Sequence, residues 1–230
     1  MIIVVENLKK TYFKKSVLNI ESLHIGKGEK VAITGTNGSG KSTLLNLTLD
    51  LIKPQEGSIF LFGEDVRRNE KWKLKTSAFL NDSFLLNFLT VREYIHFITN
   101  SEPEEHINEM VNRLSFTSLN LNEQIKNLSS GNKKKVGILG ALLSARELVI
   151  FDEVCNFLDY TSKKGLIQYF KSLNDSTVVI VEHNIEFIHD FADRVLVLEN
   201  GSIIKDIEVG DISLENFENL IYKNDKGNFI

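Results

Sequence analysis

The sequence predicts an α/β fold with a mostly parallel central sheet, an N-terminal antiparallel β portion and a helical insertion. Two uninterrupted apolar runs, at residues 148–151 and 177–181, are typical of strands buried on both faces of a parallel sheet. Apolar residues return at helical spacing between about residues 90 and 121, interrupted at Ser101–Pro103, so helices are expected there. The order is therefore β-rich, then helical, then alternating β and α, which favours a parallel sheet interrupted by helices.

The N-terminal portion contains short apolar or alternating segments separated by turn residues. Residues 2–5 and 17–25 are expected to be strands, with Lys9–Lys15 as a basic turn between them. The turn Pro54–Gly57 precedes a short predicted strand, Ser58–Phe62. We expect a further strand at about residues 76–81, before the helical region begins.

The C-terminal half combines a helix with a hairpin. Residues 136–143 have a helical pattern, and Asn200-Gly201 is a strong hairpin signal between predicted strands at 194–199 and 202–205. The segment after Gly210 is polar and partly helical. We interpret the chain as one domain whose parts are a core (1–82 and 147–210), a helical subdomain (about 83–146) and a C-terminal tail (211–230).

The composition is that of a globular protein working in a reducing compartment. A net charge of −4 over 230 residues does not favour nucleic-acid binding. Cys155 is the single cysteine, so an intramolecular disulfide and a cysteine-based metal site are excluded. The apolar start, Met1–Glu6, is too short for a signal peptide, and no run approaches the roughly 20 apolar residues of a membrane span.

One loop predicts phosphate binding. Residues 35–42 match the pattern G-x-x-x-x-G-K-[ST] between a predicted strand, Lys30–Thr34, and a predicted helix. Glycines let backbone N–H groups turn towards phosphate oxygens, and the positive end of the helix faces the same oxygens. The residues expected to hold nucleotide are Gly35, Asn37, Gly38, Ser39, Gly40, Lys41, Ser42 and Thr43. Of these, Lys41 would reach the β- and γ-phosphates and the Ser42 hydroxyl would ligate Mg²⁺.

A second motif ends the buried run at 148–151 in two carboxylates, Asp152 and Glu153. Beside a phosphate-binding loop, the first carboxylate would hold the Mg²⁺ shell at the carboxyl end of the strand. The second would point to the other side of the chain, where it would polarise a water molecule near the γ-phosphate. Without the loop, the same pattern would indicate only the end of a strand.

Between these motifs lies the segment Leu128–Asn132, which we call the signature loop, followed by three lysines at 133–135. Read from its residues alone, the segment is an ordinary helix N-cap with a solvated basic face. Its position shortly before the Asp152-Glu153 motif favours a functional interpretation instead.

Together these motifs resemble the ATP-binding cassette (ABC) ATPases, the nucleotide-binding subunits of ABC transporters, over about residues 2–205. In that family a loop written L-S-G-G-Q binds the γ-phosphate of ATP held by a second subunit. The signature loop departs from it at Ser130, which replaces a glycine, and at Asn132, which replaces the glutamine. The resemblance therefore implies ATP contacts from Ser129, Ser130 and Gly131, with an altered rate of hydrolysis left open.

Further family positions assign roles to residues elsewhere in the chain. Asp159 matches the loop that lines the dimer interface, and His183 matches the switch histidine that senses the γ-phosphate. Tyr12 stands where the family stacks an aromatic ring on adenine, with Phe13 as the alternative and a plain core aromatic as the other interpretation of Tyr12. Cys155, in the loop after Glu153, is interpreted as a packed small residue, with a redox role as the alternative.

One family residue is missing. The family has a glutamine that joins the Mg²⁺ shell and signals to the membrane subunit, and residues 78–82 contain none. Asn81 is the best substitute and Asp82 the next. Because Asn is one methylene shorter than Gln, its contact with the metal would run through water.

The resemblance implies an ATPase subunit that uses ATP and Mg²⁺ and powers a membrane transporter. Two copies would pair head to tail, with Glu153, His183 and Lys41 as the catalytic residues and Ser42, Asp152 and Asn81 around the metal. The expected partners are a transmembrane permease and a second, identical cassette, at the cytoplasmic face of the cell membrane. Two alternatives stay open: a soluble ABC ATPase without a transporter, and a weakly catalytic regulatory module.

Overall fold

The computed structural model describes residues 1–13, 15–144 and 146–222. In these ranges the strands are β1 (Ile3–Tyr12), β2 (Lys15–Ile25), β3 (Lys30–Thr34), β4 (Glu56–Leu61), β5 (Glu64–Asp65), β6 (Thr76–Phe79), β7 (Leu148–Asp152), β8 (Thr177–Val181), β9 (Arg194–Glu199) and β10 (Ser202–Glu208). The α-helices are α1 (Lys41–Thr48), α2 (Val91–Thr99), α3 (Glu104–Arg113), α4 (Ser130–Leu143), α5 (Tyr160–Ser172), α6 (Ile185–Phe191) and α7 (Leu214–Tyr222).

The strands form two sheets, which confirms the predicted fold class. An antiparallel sheet has the order β2-β1-β4-β5, and a larger sheet has the order β10-β9-β3-β8-β7-β6. In the larger sheet all neighbours from β9 to β6 are parallel, and only β10 is antiparallel. The two predicted buried runs became β7 and β8, whose residues are almost completely enclosed.

The predicted basic turn at Lys9–Lys15 is wrong. β1 continues to Tyr12 and β2 starts at Lys15, so most of that segment is paired strand. The Lys9 ammonium lies 2.6 Å from the Glu56 carboxylate on the neighbouring β4, and both side chains are exposed. An antiparallel sheet accepts charged residues on its solvent face, so positive charge there did not indicate a turn.

The helical region is broken where the sequence predicts, because α2 ends at Thr99 and α3 begins at Glu104. α2 begins with a capping box, in which the Thr90 hydroxyl accepts from the Glu93 N–H and the Glu93 carboxylate accepts from the Thr90 N–H. It ends at Asn100, which has a left-handed φ of 59°. α4 starts six residues before the predicted position 136, because the Ser129 hydroxyl caps it.

The α4 helix packs closely on the central sheet. A Cβ atom placed on Gly137 would lie 2.1 Å from the ring of Phe79, the last residue of β6. The Phe79 ring is itself buried, so glycine is needed for this approach of helix and strand. The packing places the start of α4 beside the edge where β6 and β7 end.

Candidate nucleotide site

The phosphate-binding loop joins β3 to α1 and has glycine where the chain demands it. Gly35 has φ 142°, and a Cβ there would lie 1.9 Å from the Leu198 carbonyl oxygen. Gly40 has φ 108°, and a Cβ there would lie 2.7 Å from the Val17 carbonyl oxygen. At Gly38, with φ 79°, a Cβ would meet no heavy atom of the described residues within 4 Å. The loop is therefore held by packing at both ends and open in its middle, where a phosphate would approach.

The Lys41 ammonium lies inside this loop. Its Nζ donates to the carbonyl oxygens of Gly35 at 3.0 Å and Thr36 at 2.9 Å. Burial lowers the pKa of Lys41, and the nearby carboxylates of Glu153 and Asp152 oppose that shift. A phosphate in the loop would replace neutral carbonyl partners with a charged one, which makes stronger hydrogen bonds.

Asp152 ends β7 at the same edge of the sheet and carries the features of a metal ligand. The Ser42 hydroxyl donates a hydrogen bond to its carboxylate, and burial raises the pKa of Asp152. The Asp152 Oδ1 atom is buried and has no hydrogen-bond partner among the described residues. A hard cation such as Mg²⁺ binds oxygen ligands of this kind, so the residues present fit the ion.

The structure brings Glu153 and His183 together, although 30 positions separate them in the sequence. The His183 Nε2 atom lies 3.8 Å from Glu153 Oε1 because β7 and β8 are parallel neighbours. Glu153 has a left-handed φ of 52°, and its N–H donates to the Val181 carbonyl at 2.8 Å. This turn presents the carboxylate at the carboxyl edge of the sheet, beside Lys41.

Sequence reasoning missed two residues here. Asn156 donates from Nδ2 to Glu153 Oε2 at 2.6 Å. Glu182, buried at the end of β8, accepts hydrogen bonds from both the Cys155 and the His183 backbone N–H groups. An acidic residue directly after an apolar run was the available signal for Glu182, as it had been for Asp152.

Cys155 is a packed residue of this loop. It is 4% exposed, and burial, followed by the charge of Glu182, raises the pKa of its thiol. A thiol that resists ionisation is a poor nucleophile, so the packed interpretation is favoured over the redox one.

The signature loop forms the start of α4. The Ser129 Oγ atom accepts from the Asn132 N–H at 3.3 Å, and Ser130 is exposed as the first helical residue. A Cβ on Gly131 would lie 2.7 Å from the Phe157 carbonyl oxygen, so this glycine permits close contact with the loop that follows Glu153. The polar atoms of Ser130 at the helix start are available to a second molecule.

The three lysines after the signature loop were expected to form a solvated basic face. This expectation is wrong for two of them, which are buried. Lys134 is 8% exposed, and its Nζ donates to the Asp152 carbonyl at 3.3 Å and lies over the Phe79 ring. Lys135 is 4% exposed, and its Nζ lies 2.8 Å from Asp159 Oδ2. The chain buries these ammonium groups because carbonyl and carboxylate oxygens at the edge of the sheet satisfy them.

Asp159 has a local role that the sequence did not show. Its Oδ1 accepts from the Ser162 N–H at 2.9 Å, which caps α5. The Lys135 ammonium beside it holds the pKa of Asp159 well below its usual range. The predicted interface residue is thus also a junction between α4 and α5.

The aromatic pair at the end of β1 is exposed. Tyr12 is 41% exposed and Phe13 is fully exposed with φ 45°, so the core interpretation of Tyr12 is wrong. β2, which follows this turn, contacts the phosphate loop because Val17 and Leu18 lie against Gly40. The turn therefore lies on the side of the phosphate loop, and stacking on adenine stays a prediction.

Asn81 lies two residues after β6, at the same edge as Asp152. Its Oδ1 accepts from the Ser83 N–H at 3.0 Å and from the Ser83 hydroxyl, which caps a 3₁₀ turn at Asp82–Phe84. A contact with a metal would require this side chain to leave Ser83, so its role in the metal shell stays a prediction.

Comparisons with known proteins show the family to which the chain belongs. The family model described as ABC transporter matches residues 18–156. A putative ABC transporter ATP-binding protein of Pyrococcus furiosus is 35% identical over 92% of this chain and 82% of its own length. An energy-coupling factor transporter ATP-binding protein of Fusobacterium nucleatum is 36% identical over 87% of this chain and 80% of its own.

A solved structure has the same fold. It is a dimeric ATP-binding cassette in a post-hydrolysis state bound to ADP and Pi, 25% identical, with a TM-score of 0.79 over 91% of this chain and 100% of that one. In this protein, no helix within the described ranges has the length and apolar character needed to cross a bilayer. The chain belongs to the ABC transporter family, as an ATP-binding and ATP-hydrolysing cassette subunit.

Proposed function

We propose that ATP binds at the carboxyl edge of β3, β7 and β8, with its phosphates in the loop at 35–42. The observation that carries this proposal is the convergence of Lys41, Asp152, Glu153 and His183 at that edge. Lys41 would neutralise phosphate charge, and Tyr12 would stack on the adenine. Phosphoryl transfer depends mainly on positioning and charge neutralisation, and these groups supply both.

The Asp152 carboxylate and the Ser42 hydroxyl would hold Mg²⁺, with Asn81 as a further ligand through water. The buried Asp152 Oδ1, without a hydrogen-bond partner among the described residues, supports this assignment. When bound, the ion would neutralise charge on the β- and γ-phosphates. Lys134, which donates to the Asp152 carbonyl, would help to keep that carboxylate in place.

Glu153 would orient the attacking water and accept its proton, and His183 would steady the γ-phosphate. The 3.8 Å separation of Glu153 Oε1 and His183 Nε2 supports a shared place of action. Asn156 would orient the Glu153 carboxylate through its hydrogen bond to Oε2.

Two cassettes would pair head to tail, so that the signature loop of one faces the phosphate loop of the other. Ser129, Ser130, Gly131 and Asp159 would lie at this interface. The exposed start of α4 and the dimeric state of the similar cassette support the arrangement. ATP binding would close the pair, and hydrolysis would reopen it.

The partner would be a transmembrane permease, and the cassettes would lie at the cytoplasmic face of the membrane. The names of the similar proteins from Pyrococcus and Fusobacterium support a transport role. We further propose that residues 83–146 act as the helical subdomain that separates from the core (1–82 and 147–210), with 211–230 as a tail. Helices α2, α3 and α4 all lie in that segment, between β6 and β7.

The proposal is tested by Glu153→Gln. The variant keeps the size of the side chain but removes the base, so it should bind ATP, hydrolyse it at least about 100-fold more slowly and accumulate an ATP-bound dimer. Glu186→Gln, an exposed acid at the start of α6, is the matched control and should behave as wild type. Hydrolysis by Glu153→Gln near the wild-type rate would remove Glu153 from its assigned role.

A further inference from the structure

Glu182 is an acidic residue that the proposed mechanism does not use, and it is 2% exposed. Its Oε2 accepts from the Cys155 N–H at 2.9 Å. Its Oε1 accepts from the His183 N–H at 2.7 Å and from the Asn184 N–H at 3.1 Å. One carboxylate therefore receives three backbone hydrogen bonds from two loops, which follow β7 and β8.

The arrangement requires a side chain with two acceptor oxygens. Each oxygen of Glu182 faces at least one N–H donor, and the Cys155 thiol makes a further hydrogen bond to the same carboxylate. An ionised carboxylate accepts at both oxygens, whereas an amide of the same shape accepts at one and donates at the other. Glutamine at this position would leave the donors of one loop facing an NH₂ group, which is costly in a buried place.

The two loops held by Glu182 are those that carry Glu153 and His183. Glu153 lies in the left-handed region, at φ 52°, which residues with a Cβ seldom adopt. Its own N–H is held by the Val181 carbonyl, and the loop beyond it is held at Cys155 by Glu182. On the other side, Glu182 is bonded to the backbone of His183 itself.

We propose that Glu182 is a positioning residue for ATP hydrolysis, whose carboxylate ties the loop after Glu153 to the loop at His183. The inference rests on the proposed roles of Glu153 and His183. Glu182 would not touch nucleotide. It would keep the water-orienting carboxylate and the phosphate-sensing histidine at a fixed separation, while the phosphate loop binds ATP independently of it.

The test is Glu182→Gln, with Glu186→Gln as the matched control. Releasing one loop should lower kcat by roughly 10- to 100-fold, as misplacement of about 1 Å does, and leave the KM for ATP within about twofold of wild type. Because Cys155 is the single cysteine, a thiol reagent such as dithiobis(nitrobenzoate) reports on this loop alone. Its reaction with folded, nucleotide-free Glu182→Gln should be about tenfold faster than with wild type or Glu186→Gln.

An unchanged kcat for Glu182→Gln would overturn the proposal, whether or not KM rises. Faster thiol reaction with an unchanged kcat would show that Glu182 has only a structural role. If Glu182→Gln does not fold, Glu182→Asp can replace it, because aspartate keeps both carboxylate oxygens on a shorter side chain. This variant should show a smaller fall in kcat at constant KM. A wild-type kcat for Glu182→Asp would again overturn the proposal.

Amide hydrogen exchange in the wild-type protein supplies a measurement that needs no variant. The N–H groups of Cys155, His183 and Asn184 should be protected from exchange to a similar degree. Rapid exchange at Cys155 alone would contradict the proposed link between the two loops. Glu153→Gln is assayed in parallel. If that variant hydrolyses ATP normally, the proposed function fails, whereas a loss in Glu153→Gln without one in Glu182→Gln contradicts only the role of Glu182.

Discussion

The Lys135 ammonium lies 2.8 Å from the Asp159 carboxylate, and this ion pair joins the start of α4 to the start of α5. Lys135 is almost fully buried, while the Asp159 side chain is 56% exposed. The pair therefore connects α4, the helix that begins in the signature loop, with the predicted interface residue Asp159 inside one chain. We expect these two parts of the interface to move together when a second cassette binds.

Asp159→Asn isolates the charge in this pair, because asparagine caps a helix about as well as aspartate does. The variant should be less stable than wild type at pH 7 by about 1–2 kcal/mol, between the values for exposed and buried ion pairs. Urea unfolding measures the difference. Equal stability at pH 7 would mean that water replaces the carboxylate at Lys135 without loss.

The pH dependence follows from the lowered pKa of Asp159. Because the pKa of Asp159 is lower in the folded protein, its carboxylate stabilises the fold at pH values above its pKa in the unfolded chain, near 3.9. This stabilisation is lost as the pH falls through the pKa of the folded protein. The difference between wild type and Asp159→Asn should therefore be constant from about pH 5 to 8 and shrink below about pH 4. If the stability difference between the two proteins changes between pH 6 and 8, a group other than Asp159 causes that change.

Asp152→Asn should lower the activity without lowering the stability of the nucleotide-free protein. Burial raises the pKa of Asp152, so the ionised carboxylate opposes folding. The neutral carboxyl contributes stability at low pH, and this contribution is lost as the pH rises through the pKa of the folded protein. At pH 7, without nucleotide, the variant should be at least as stable as wild type, and the gain should vanish below about pH 4. Mg²⁺-dependent hydrolysis should fall at least about 100-fold, since the metal supplies several kcal/mol. A less stable apo variant would contradict this account.

Lys41→Ala removes the cation that we propose faces the phosphates. A charge-assisted hydrogen bond contributes about 1.5–3 kcal/mol, so ATP affinity measured by calorimetry should fall about 10- to 100-fold, and hydrolysis should be lost. The exposed Lys27→Ala variant is the control and should bind ATP as wild type does. Unchanged affinity in Lys41→Ala would count against phosphate binding by the loop.

Mixing two defective cassettes tests whether the site is shared. Lys41→Ala disables the phosphate loop and Ser129→Arg blocks the signature loop, so each alone should fail to form ATP-dependent dimers. Their heterodimer has one intact composite site, built from the phosphate loop of the Ser129→Arg chain and the signature loop of the Lys41→Ala chain. Size-exclusion chromatography with ATP and without Mg²⁺ should therefore recover dimer in the mixture.

If the mixture recovers neither dimer without Mg²⁺ nor turnover with Mg²⁺, while wild type shows both, the head-to-tail arrangement is contradicted. One composite site has fewer contacts than two. The same variants should therefore be repeated as a covalently linked pair, in which the second binding event is intramolecular and the effective concentration rises to the millimolar range, about 1 mM.

Gly137→Ala should destabilise the protein, although alanine favours helices by about 1 kcal/mol over glycine. The new Cβ would lie 2.1 Å from the buried Phe79 ring, and overpacking of this kind costs about 1–3 kcal/mol. Thermal unfolding measures the effect, and the double variant with Phe79→Leu should recover part of it. A more stable Gly137→Ala protein would show that α4 moves away from β6 without cost.

The sequence by itself determined those parts of the site whose chemistry is local. The phosphate loop is one contiguous segment, because backbone N–H groups, Lys41 and the helix N-terminus are all expected to surround the same phosphates. Asp152 and Glu153 were predicted because a bare apolar run followed by carboxylates shows where a buried strand meets a polar edge. The fold class followed from the same runs, since strands covered on both faces need a parallel sheet.

The tertiary structure alone decided which partners distant side chains found. The sequence alone indicates that Lys134 and Lys135 are solvated. In the structure both are buried, and their ammonium groups contact oxygens of Asp152 and Asp159. Glu182 gained three N–H donors only because β7 and β8 lie side by side, which places two loops within reach of one carboxylate. The partners of such buried polar groups are distant along the chain, so periodicity and spacing do not specify them.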